Sequence, residues 1–418
     1  MKIIYLHQYF NTLQMSGSTR SYEMAKRLVV NGHEVHMITS IREDVANKKN
    51  WSITIEDGIQ VHWFPVPYSN KMSFAARIKS FFVFAIVSAK KAASIKADVI
   101  FATSTPLTIA FPAIYAAKKQ RIPMVFEVRD LWPELPIAVK SIKGSVMIWV
   151  AKWMEKWAYK NARYVVALSP GIKDGIIRSG YSENQVSIIP NCCDLDLFNV
   201  DKAAGYAFRK RRDWLGDRKL VVYIGTFGLI NGVGYLVRLA KEVASIDSEI
   251  RFLAVGQGAE FEKVKKLSIE LGVLNKNFFM LPSISKKDVP VVLSAADISI
   301  SLFIDLKEMW NNSANKFFDA LAASKPIAIN YQGWQAEIIK RNNIGVVLDP
   351  VDIKCSACDL VSFLNNKAFL IDAGKRSRKI GETEFNRDIL AKKLEMILLN
   401  ACASLAKNAS SNVLPLKK

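Results

Sequence analysis

Residues Asn311–Asn330 read NNSANKFFDALAASKPIAIN, which predicts a polar loop, one amphipathic helix, a Lys–Pro break and a short buried strand. Asn315 and Lys316 precede Asp319 by four and three residues, so the helix presents all three on one face. Free N–H groups at a helix N-terminus, an ammonium and a carboxylate together suit a phosphate that is joined to a hydroxylated sugar. The alternative is an ordinary helix of an α/β domain, whose polar face is only solvated.

The sequence before this stretch contains a second sign of an anion site. Lys219–Gly225 reads KLVVYIG, a buried strand, and a turn with Thr226 and Gly228 follows it. Glycines let backbone N–H groups approach an anion closely. Gly225, Thr226 and Gly228 are therefore candidate binding residues. Further buried strands are predicted at Arg251–Val255, Phe278–Met280 and Asp297–Leu302.

The first half of the chain begins with the same kind of unit. Lys2–Leu6 predicts a buried strand, His7–Thr19 a polar loop, and Asn31–Gly32 the end of the following helix. A strand at Glu34–Thr39 completes a βαβ arrangement, which is typical of a doubly wound parallel sheet. Gly17 lies in the loop at the carboxyl end of the first strand, where such sheets bind ligands, but the loop is not a GxGxxG motif. Further strands are predicted at Ile59–Phe64, Asp98–Ala102, Met124–Val128, Tyr164–Ala167 and Val186–Ile189.

A cluster of ionisable residues follows one of these strands. Glu127–Glu134 reads EVRDLWPE, with four ionisable groups in eight residues. Because loops at the carboxyl ends of strands commonly hold functional residues, Arg129 and Asp130 are candidate catalytic residues.

The composition restricts the possible partners. The net charge is +20 over 418 residues, which indicates an anionic partner. No nucleic-acid-binding motif accompanies the charge, so a phosphorylated ligand or an acidic membrane surface is favoured and nucleic acid is not. Five cysteines indicate a reducing compartment, and the single CxxC, Cys355–Cys358, lacks the further ligands of a structural zinc site.

Two predicted helices have features of membrane-surface helices. Lys71–Lys96 and Ser145–Tyr159 are rich in aromatic residues, with lysines beside them, and Trp149, Trp153 and Trp157 recur every four residues. The alternative is a pair of core helices with charged outer faces. The N-terminus does not resemble a signal peptide, and the longest apolar run, Phe81–Val87, is much shorter than a membrane span. We expect a cytoplasmic protein that is peripheral on the inner face of the membrane.

These patterns predict an α/β protein with two doubly wound, Rossmann-like domains that face each other across a cleft. Residues 1–198 form an N-terminal domain, and 199–218, a basic stretch, form the linker. Residues 219–385 form the C-terminal domain. Residues 386–418 form a C-terminal helix, for which a return to the N-terminal domain is one option, and a tail.

Several segments resemble bacterial retaining glycosyltransferases of family GT4, which have the GT-B fold. The resemblance extends over most of the chain and rests on the Gly17 loop, IIPNCCDLDLF, YIGTFG and ALAASKPIAI. EVRDLWPE and NSANKFFDALAASKPI are similar to the subgroup that builds O-antigen and capsule, which includes an L-fucosamine (FucNAc) transferase. The resemblance implies an N-terminal acceptor-binding domain and a C-terminal domain that binds a nucleotide sugar.

The resemblance also implies roles for the C-terminal candidates. Asp319 takes the place of the second carboxylate of the family's E-x7-E motif, which binds the ribose hydroxyls. The first Glu, which contacts the donor sugar, falls on Asn311, so either Asn311 or Glu308 takes its part.

The usual Lys of the glycine turn reads Asn231 here, and Lys316 is the expected substitute at the diphosphate, with N–H groups of Gly225–Gly228 and Asn315. Ser283 and Ile284 would hold the base through backbone contacts.

In the N-terminal half the family presents a His near the reacting sugar, and this chain has none after His62. Arg129 and Asp130 occupy the corresponding loop, Asp130 toward the acceptor hydroxyl and Arg129 for charge compensation; a structural salt bridge between them is the alternative. Retention in the family needs no protein nucleophile, because the leaving phosphate takes the acceptor proton.

The leading hypothesis is transfer of a 2-acetamido sugar such as FucNAc from a UDP-sugar to a lipid-diphosphate-linked saccharide. A UDP-sugar 2-epimerase of the same fold and a non-catalytic membrane-bound scaffold are the alternatives. Asp194 and Asp196 have DxD spacing but lie between the domains, so neither a metal nor a cofactor is predicted.

Overall fold

The computed structural model describes residues 1–42, 50–69 and 72–411, without the side chains of 74 and 404–411. The chain divides into two compact units. Unit 1 contains 1–12, 19–190 and the chain from Asp388 onward, and unit 2 contains 13–18 and 191–387. None of the helices in the described part of the chain is both long and apolar enough to cross a membrane. The predicted helix Lys71–Lys96 is observed as Phe74–Ser94, and Lys71 lies outside the described residues.

Unit 1 is built on an eight-stranded sheet in the order β3-β4-β2-β1-β5-β6-β7-β8. Every strand pair is parallel except β3 with β4. The strands are β1 (Lys2–Leu6), β2 (Glu34–Ile41), β3 (Ser52–Glu56), β4 (Ile59–Pro65), β5 (Val99–Thr103), β6 (Met124–Val128), β7 (Tyr164–Ala167) and β8 (Val186–Ile188). The helices are α1 (Arg20–Val30), α2 (Phe74–Ser94), α3 (Ala110–Gln120), α4 (Glu134–Ala138), α5 (Ser145–Lys160) and α6 (Pro170–Arg178).

The central strands of unit 1 are apolar because helices cover the sheet. All of Val99–Thr103 and Met124–Val128 is buried, and Phe126 packs with Tyr159 of α5. Among the strands of unit 1, the sequence analysis missed β3, which forms a hairpin with β4 through Asp57 and Gly58; both of these residues have positive φ. Asp-Gly is the preferred pair for such a two-residue turn.

Unit 2 is built on a six-stranded, fully parallel sheet in the order β11-β10-β9-β12-β13-β14. Its strands are β9 (Leu220–Ile224), β10 (Arg251–Val255), β11 (Phe278–Leu281), β12 (Ile298–Ser301), β13 (Ile327–Ile329) and β14 (Gly345–Val347). Its helices are α7 (Lys202–Lys210), α8 (Gly234–Ile246), α9 (Phe261–Glu270), α10 (Val289–Ala295), α11 (Asn315–Ala322), α12 (Trp334–Asn342), α13 (Ile353–Asn365) and α14 (Lys367–Thr383). The predicted loop, helix and buried strand of Asn311–Asn330 are all present.

The predicted linker, residues 199–218, differs from the structure. It includes helix α7, which packs so closely on α10 that a Cβ at Gly205 would meet the Ser294 backbone at 2.7 Å. The basic residues that suggested a solvated linker are partly used inside the unit: Arg209 donates to the Ala295 carbonyl at 2.8 Å and to Asp297 at 2.7 Å. The division between the units falls earlier, between Pro190 and Asn191.

The last described helix, α15 (Arg387–Ser411), belongs to unit 1 from Asp388 onward. Lys393 of α15 donates to the Ile188 carbonyl at 3.0 Å, and Glu395 accepts a hydrogen bond from Asn31 at 2.6 Å. The chain therefore passes between the units four times, on either side of the short segment 13–18, near 190 and near 387.

Candidate active site

The topology of unit 2 identifies one edge of its sheet as the ligand edge. The chain leaves β9 toward β10 on one side, whereas β12 lies on the other side of β9. Ligands of open α/β sheets bind beyond the carboxyl ends of the strands at such a switch point. The segment after β9 is the glycine turn Gly225–Gly228, and the segment after β12 leads into α11.

The glycine turn is held by neighbouring backbone. The N–H of Gly225 donates to Val255 O at 2.9 Å, and the N–H of Phe227 donates to Gln257 O at 2.9 Å. Gly256, whose φ is +153°, has no room for a Cβ, because that atom would collide with the carbonyl oxygen of Gly225. The turn is therefore fixed before any ligand arrives, which reduces the entropy lost on binding.

Lys316 reaches the glycine turn from α11. A Cβ at Gly225 would meet Lys316 Cε and lie 3.1 Å from its Nζ, so the end of the lysine side chain passes directly over this glycine. The ammonium lies 5.1 Å from the ring centre of Tyr223, close enough for a cation–π contact. Within the described part of the chain, Lys316 makes neither a hydrogen bond nor an ion pair.

The electrostatics of Lys316 are those of a cation that has no close counter-ion among the described residues. Burial lowers the pKa of Lys316 from 10.5 to about 8, and the charge of Asp319 opposes this shift only in part. An anion placed beside the ammonium would stabilise the protonated form. The same anion could receive N–H groups from the start of α11, because the N-cap residue Ala314 offers no side-chain oxygen to them.

Asp319 lies one helical turn after Lys316 and forms an ion pair that the sequence analysis missed. Its Oδ1 accepts a hydrogen bond from Lys286 Nζ at 2.6 Å, with side-chain exposures of 16% for Asp319 and 9% for Lys286. Lys286 begins the 3-10 turn Lys286–Asp288, which immediately precedes α10. Only the neighbours Ser283 and Ile284 had been predicted at this loop, because side-chain reach is not visible in sequence.

The loop between β12 and α11 is fixed by side-chain amides and an indole. Asn330 receives the Phe303 N–H at 3.0 Å and donates to the Phe303 carbonyl at 2.9 Å. The indole of Trp334 donates to Asn312 O at 2.9 Å, and the N–H of Asn191 donates to Ser313 Oγ at 3.0 Å. These bonds hold the entrance of α11 in place.

The remaining C-terminal candidates lie in the segments that come before and within α11 in sequence. Asn311 ends a 3-10 turn, Lys307–Asn311, and is partly buried, whereas Glu308 of the same turn is exposed. Ser283 is exposed and Ile284 partly buried in the loop after β11. Asn315 is the first residue of α11. Their roles toward a donor stay predictions.

Thr226 and Gly17 also lie in unit 2. The carbonyl of Thr226 accepts a hydrogen bond from the Tyr223 hydroxyl at 2.8 Å. Gly17 belongs to the short segment 13–18 that groups with unit 2, in which Met15 O accepts from the Lys286 N–H at 3.3 Å. Gly17 has a φ of +121°, a conformation that favours glycine.

In unit 1 the predicted catalytic loop follows β6. The Thr105 hydroxyl donates to Asp130 Oδ2 at 3.2 Å, and the Arg129 N–H donates to Ser104 Oγ at 3.0 Å. Burial raises the pKa of Asp130 above its usual value, although the charge of Arg129 and the bond from Thr105 act in the opposite direction. A carboxyl of this kind is more easily protonated than an exposed one.

A histidine does lie at this loop, which the sequence analysis did not foresee. Arg129 Nη1 lies 3.1 Å from His7 Nε2. His7 follows β1, and β1, β5 and β6 are successive strands in the sheet, so their carboxyl ends meet at one edge. Burial, together with the charges of Arg129 and Arg42, lowers the pKa of His7 well below its usual value, so the imidazole is neutral.

The loop is supported by a buried ion pair beneath it. Arg20 and Glu127 are joined at 2.7 Å and neither side chain is exposed. Thr103 donates to Glu127 Oε1 at 2.7 Å, and Arg20 also donates to the Ile189 carbonyl at 2.9 Å. Burial favours a protonated Glu127, but Arg20, Arg129 and the hydrogen bonds outweigh it and lower the pKa.

Unit 1 also presents exposed apolar side chains on α2 and α5. Trp149 is 67% exposed and Ile86 is 59% exposed, which is unusual for large apolar residues outside an interface. The two helices meet through α3, since Phe111 contacts Phe82 of α2 and Trp157 of α5, with ring centres 6.4 and 5.0 Å apart. We define the aromatic surface as Phe82, Ile86, Val146, Trp149 and Trp153.

Two family descriptions match the two halves of the chain. Residues 17–192 match the glycosyl transferase 4-like domain, and residues 207–383 match the glycosyl transferases group 1. The chain is similar to the putative colanic acid biosynthesis glycosyl transferase WcaI of Escherichia coli (strain K12), with 25% identity over 66% of this chain and 70% of WcaI.

Solved structures show the same fold. The sucrose-phosphate synthase of Thermosynechococcus elongatus superposes with a TM-score of 0.79 at 16% identity, covering 96% of this chain and 99% of that chain. Alr3699/HepE of Anabaena, solved in complex with UDP-glucose, superposes with a TM-score of 0.70 at 16% identity, covering 98% and 100%. The fold is GT-B, and the chain belongs to the GT4-type, group 1 glycosyltransferases.

Proposed function

We propose that this protein is a retaining glycosyltransferase that moves a sugar, of the 2-acetamido class such as FucNAc, from a UDP-sugar to a lipid-diphosphate-linked saccharide. The observation that supports a diphosphate-containing donor most strongly is Lys316, a partly buried cation beside the glycine turn that forms no ion pair with any described residue. Alr3699/HepE, which shares the fold, was solved with UDP-glucose, and WcaI is named for colanic acid biosynthesis. Both facts agree with a nucleotide-sugar enzyme of polysaccharide assembly.

The donor would lie along α11 and the turn before α8. The diphosphate would receive the Lys316 ammonium and the N–H groups of Thr226, Gly228 and Asn315, because the N–H groups of Gly225 and Phe227 already donate to backbone carbonyls. Asp319, one turn further along the helix, would bind the ribose. Backbone groups at Ser283 and Ile284 would contact the base, and Asn311 would contact the transferred sugar.

The chemistry would depend on charge stabilisation rather than on a protein nucleophile. As the bond from the sugar to the phosphate breaks, negative charge develops on the leaving diphosphate, and Lys316 with the backbone donors would stabilise it. The acceptor hydroxyl would attack on the same face and give its proton to the leaving phosphate. Asp130 would position that hydroxyl, and Arg129, held by His7, would compensate local charge.

The acceptor class is supported by the surface of unit 1. The aromatic surface is flanked by lysines, including Lys79, Lys90 and Lys152, and such a surface suits the interface of an anionic bilayer. A protein that docks on the cytoplasmic leaflet would meet a lipid-linked saccharide there. We therefore propose a peripheral location on the inner face of the membrane.

The direct test is transfer. The purified chain is incubated with a panel of UDP-sugars and with membrane lipid carrying diphosphate-linked saccharides, and sugar in the lipid extract and free UDP are measured together. Equal amounts of both products are expected with one UDP-sugar. Absence of transfer with every UDP-sugar would contradict the proposal, whereas conversion of the donor without release of UDP would indicate an epimerase.

Two variants complete this experiment. Asp319→Ala should abolish donor binding, whereas Asp372→Asn, an exposed acidic residue on α14, should behave as the wild type. A membrane-bound scaffold would be unaffected by Asp319→Ala. Unchanged activity with a chelator would support transfer without a metal ion.

A further inference from the structure

Lys286 contributes to the candidate donor site in a way that the family pattern does not describe. Its ammonium is buried and contacts two groups: Asp319 Oδ1 at 2.6 Å, and the ring of Phe198, whose centre lies 5.1 Å away. Lysine has three N–H donors, and within the described part of the chain this ammonium uses one of them in a hydrogen bond.

Asp319 keeps one carboxylate oxygen that can accept a hydrogen bond from a ligand. Its Oδ1 is taken by Lys286, and among the described residues no group bonds to its Oδ2. The carboxylate therefore offers one oxygen as an acceptor, and the ammonium beside it offers donors. A vicinal diol has the complementary groups, since each hydroxyl can both donate and accept.

We propose that Lys286 and Asp319 recognise the two ribose hydroxyls of the donor as a pair. Asp319 Oδ2 accepts a hydrogen bond from one hydroxyl, and Lys286 donates to the oxygen of the other. This inference rests on the proposed function, because it takes the nucleotide to lie with its diphosphate at Lys316 and its ribose one turn further along α11.

The length of the aspartate side chain gives a physical reason why Lys286 and Asp319 would bind the ribose hydroxyls together. Aspartate is one methylene shorter than glutamate, so a single carboxylate at 319 reaches less far than the family's second Glu. A lysine that enters from the loop after β11 supplies the second contact. The ion pair also keeps both groups desolvated and oriented before the ligand binds, so each hydrogen bond to a charged partner is stronger than one to a neutral partner.

The first measurement uses the full wild-type chain with UDP, 2′-deoxy-UDP and 3′-deoxy-UDP in calorimetric titrations. Loss of a hydrogen bond to a charged group weakens binding about 10- to 100-fold. We expect a loss of at least about 10-fold for each deoxy analogue. If one analogue binds within about twofold of UDP, only one hydroxyl is recognised and the pair is refuted.

The second measurement repeats the series with Lys286→Met and with its matched control Lys287→Met, an exposed neighbour. Lys286→Met should bind UDP about 10-fold more weakly and should no longer discriminate against one of the two deoxy analogues. Discrimination against the other analogue should remain, because Asp319 still binds that hydroxyl. Lys287→Met should give the wild-type pattern.

The outcomes separate this inference from the proposed function. If Lys286→Met keeps full discrimination against both analogues, Lys286 is only structural and the inference fails while nucleotide binding stands. If the wild type binds neither UDP nor UDP-sugars, the proposed function fails instead. If Lys286→Met does not fold, the wild-type analogue series still decides, and Lys286→Arg, which keeps the charge, should restore folding together with discrimination against both analogues.

Discussion

Replacement of Lys316 by methionine should weaken nucleotide binding and stabilise the free protein at the same time. Burial lowers the pKa of Lys316 to about 8, which corresponds to roughly 3 kcal/mol spent on holding the charged form in the unliganded protein. Methionine removes this cost and fits beside Tyr223 as an apolar chain of similar length. The lost charge-assisted hydrogen bond to a diphosphate is worth about 1.5–3 kcal/mol, or about 10- to 100-fold in the dissociation constant for UDP.

Lys325 provides a matched control, because it is a second partly buried lysine with a pKa of about 8, and desolvation is again the main cause. Its ammonium differs in having two partners, the carbonyl oxygens of Ser294 at 3.0 Å and Ala296 at 2.7 Å. Lys325→Met would leave both carbonyls without their donor. It should therefore destabilise the protein by about 1–3 kcal/mol and leave UDP affinity unchanged.

The assay is titration with UDP together with thermal unfolding of both variants at pH 7. Lys316→Met should raise the unfolding temperature by a few degrees and lose affinity for UDP. Lys325→Met should lower the unfolding temperature and keep the wild-type affinity for UDP. Equal UDP affinity of Lys316→Met and the wild type would refute the assignment of Lys316 to the diphosphate. A large fall in the stability of free Lys316→Met would refute the claim that its ammonium lacks a counter-ion.

Three further predictions test other parts of the structure. Glu127→Gln should cost about 3–5 kcal/mol in unfolding free energy, because it removes the carboxylate that compensates the buried charge of Arg20. Breaking the exposed pair of Lys26 by Lys26→Met should cost at most about 1 kcal/mol in the same urea titration. UDP affinity should fall about tenfold per pH unit as the pH rises well above 8, because Lys316 loses its proton there. Lys316→Arg should bind UDP independently of pH between 7 and 10. A wild-type affinity for UDP that does not change over this range would contradict the assignment of Lys316 to the diphosphate. Burial raises the pKa of Glu155 to about 7, so the stability contributed by its protonated form is fully present below the unfolded pKa of about 4.5 and is lost as the pH rises through 7. Glu155→Gln should therefore be about 1–3 kcal/mol more stable than the wild type at pH 8.5 and equal to it at pH 4. Equal stability of the two proteins at both pH values would exclude a buried carboxylate at this position.

Much of the fold follows from local pattern. Continuous apolar runs such as Lys2–Leu6 and Lys219–Gly225 predict buried parallel strands, and each is a strand in the structure. The strand β3 was missed because Ile53 and Ile55 are exposed at the sheet edge, yet the Asp57–Gly58 pair is a hairpin signal that could have revealed it.

The segment 199–218 shows why a linker is hard to recognise. Its basic composition predicts a solvated connection, but the guanidinium of Arg209 is consumed by backbone carbonyls and Asp297. Which partners a long side chain reaches depends on elements far away in sequence. The composition therefore identifies a basic segment correctly, but it wrongly predicts a solvated linker where the structure has a packed helix.

The site shows the same limit. Spacing placed Asn315, Lys316 and Asp319 on one helical face, because helical periodicity is a local property. The partners of these residues come from other elements: Lys286 follows β11, and Tyr223 belongs to β9. His7 was missed for the same reason, since only the strand order brings the end of β1 close to Arg129.

The placement of the diphosphate at the glycine turn and at the start of α11 can be tested by hydrogen exchange of the full chain with and without UDP, because this measurement locates the nucleotide without assuming a sugar or an acceptor. This placement predicts slower exchange of the N–H groups of Thr226 and Gly228 and of the first turn of α11, from Asn315, when UDP is bound. Lys316→Met should lose this protection at the same UDP concentration. Protection that is confined to other segments, or protection at these two segments that is unchanged in Lys316→Met, would contradict it.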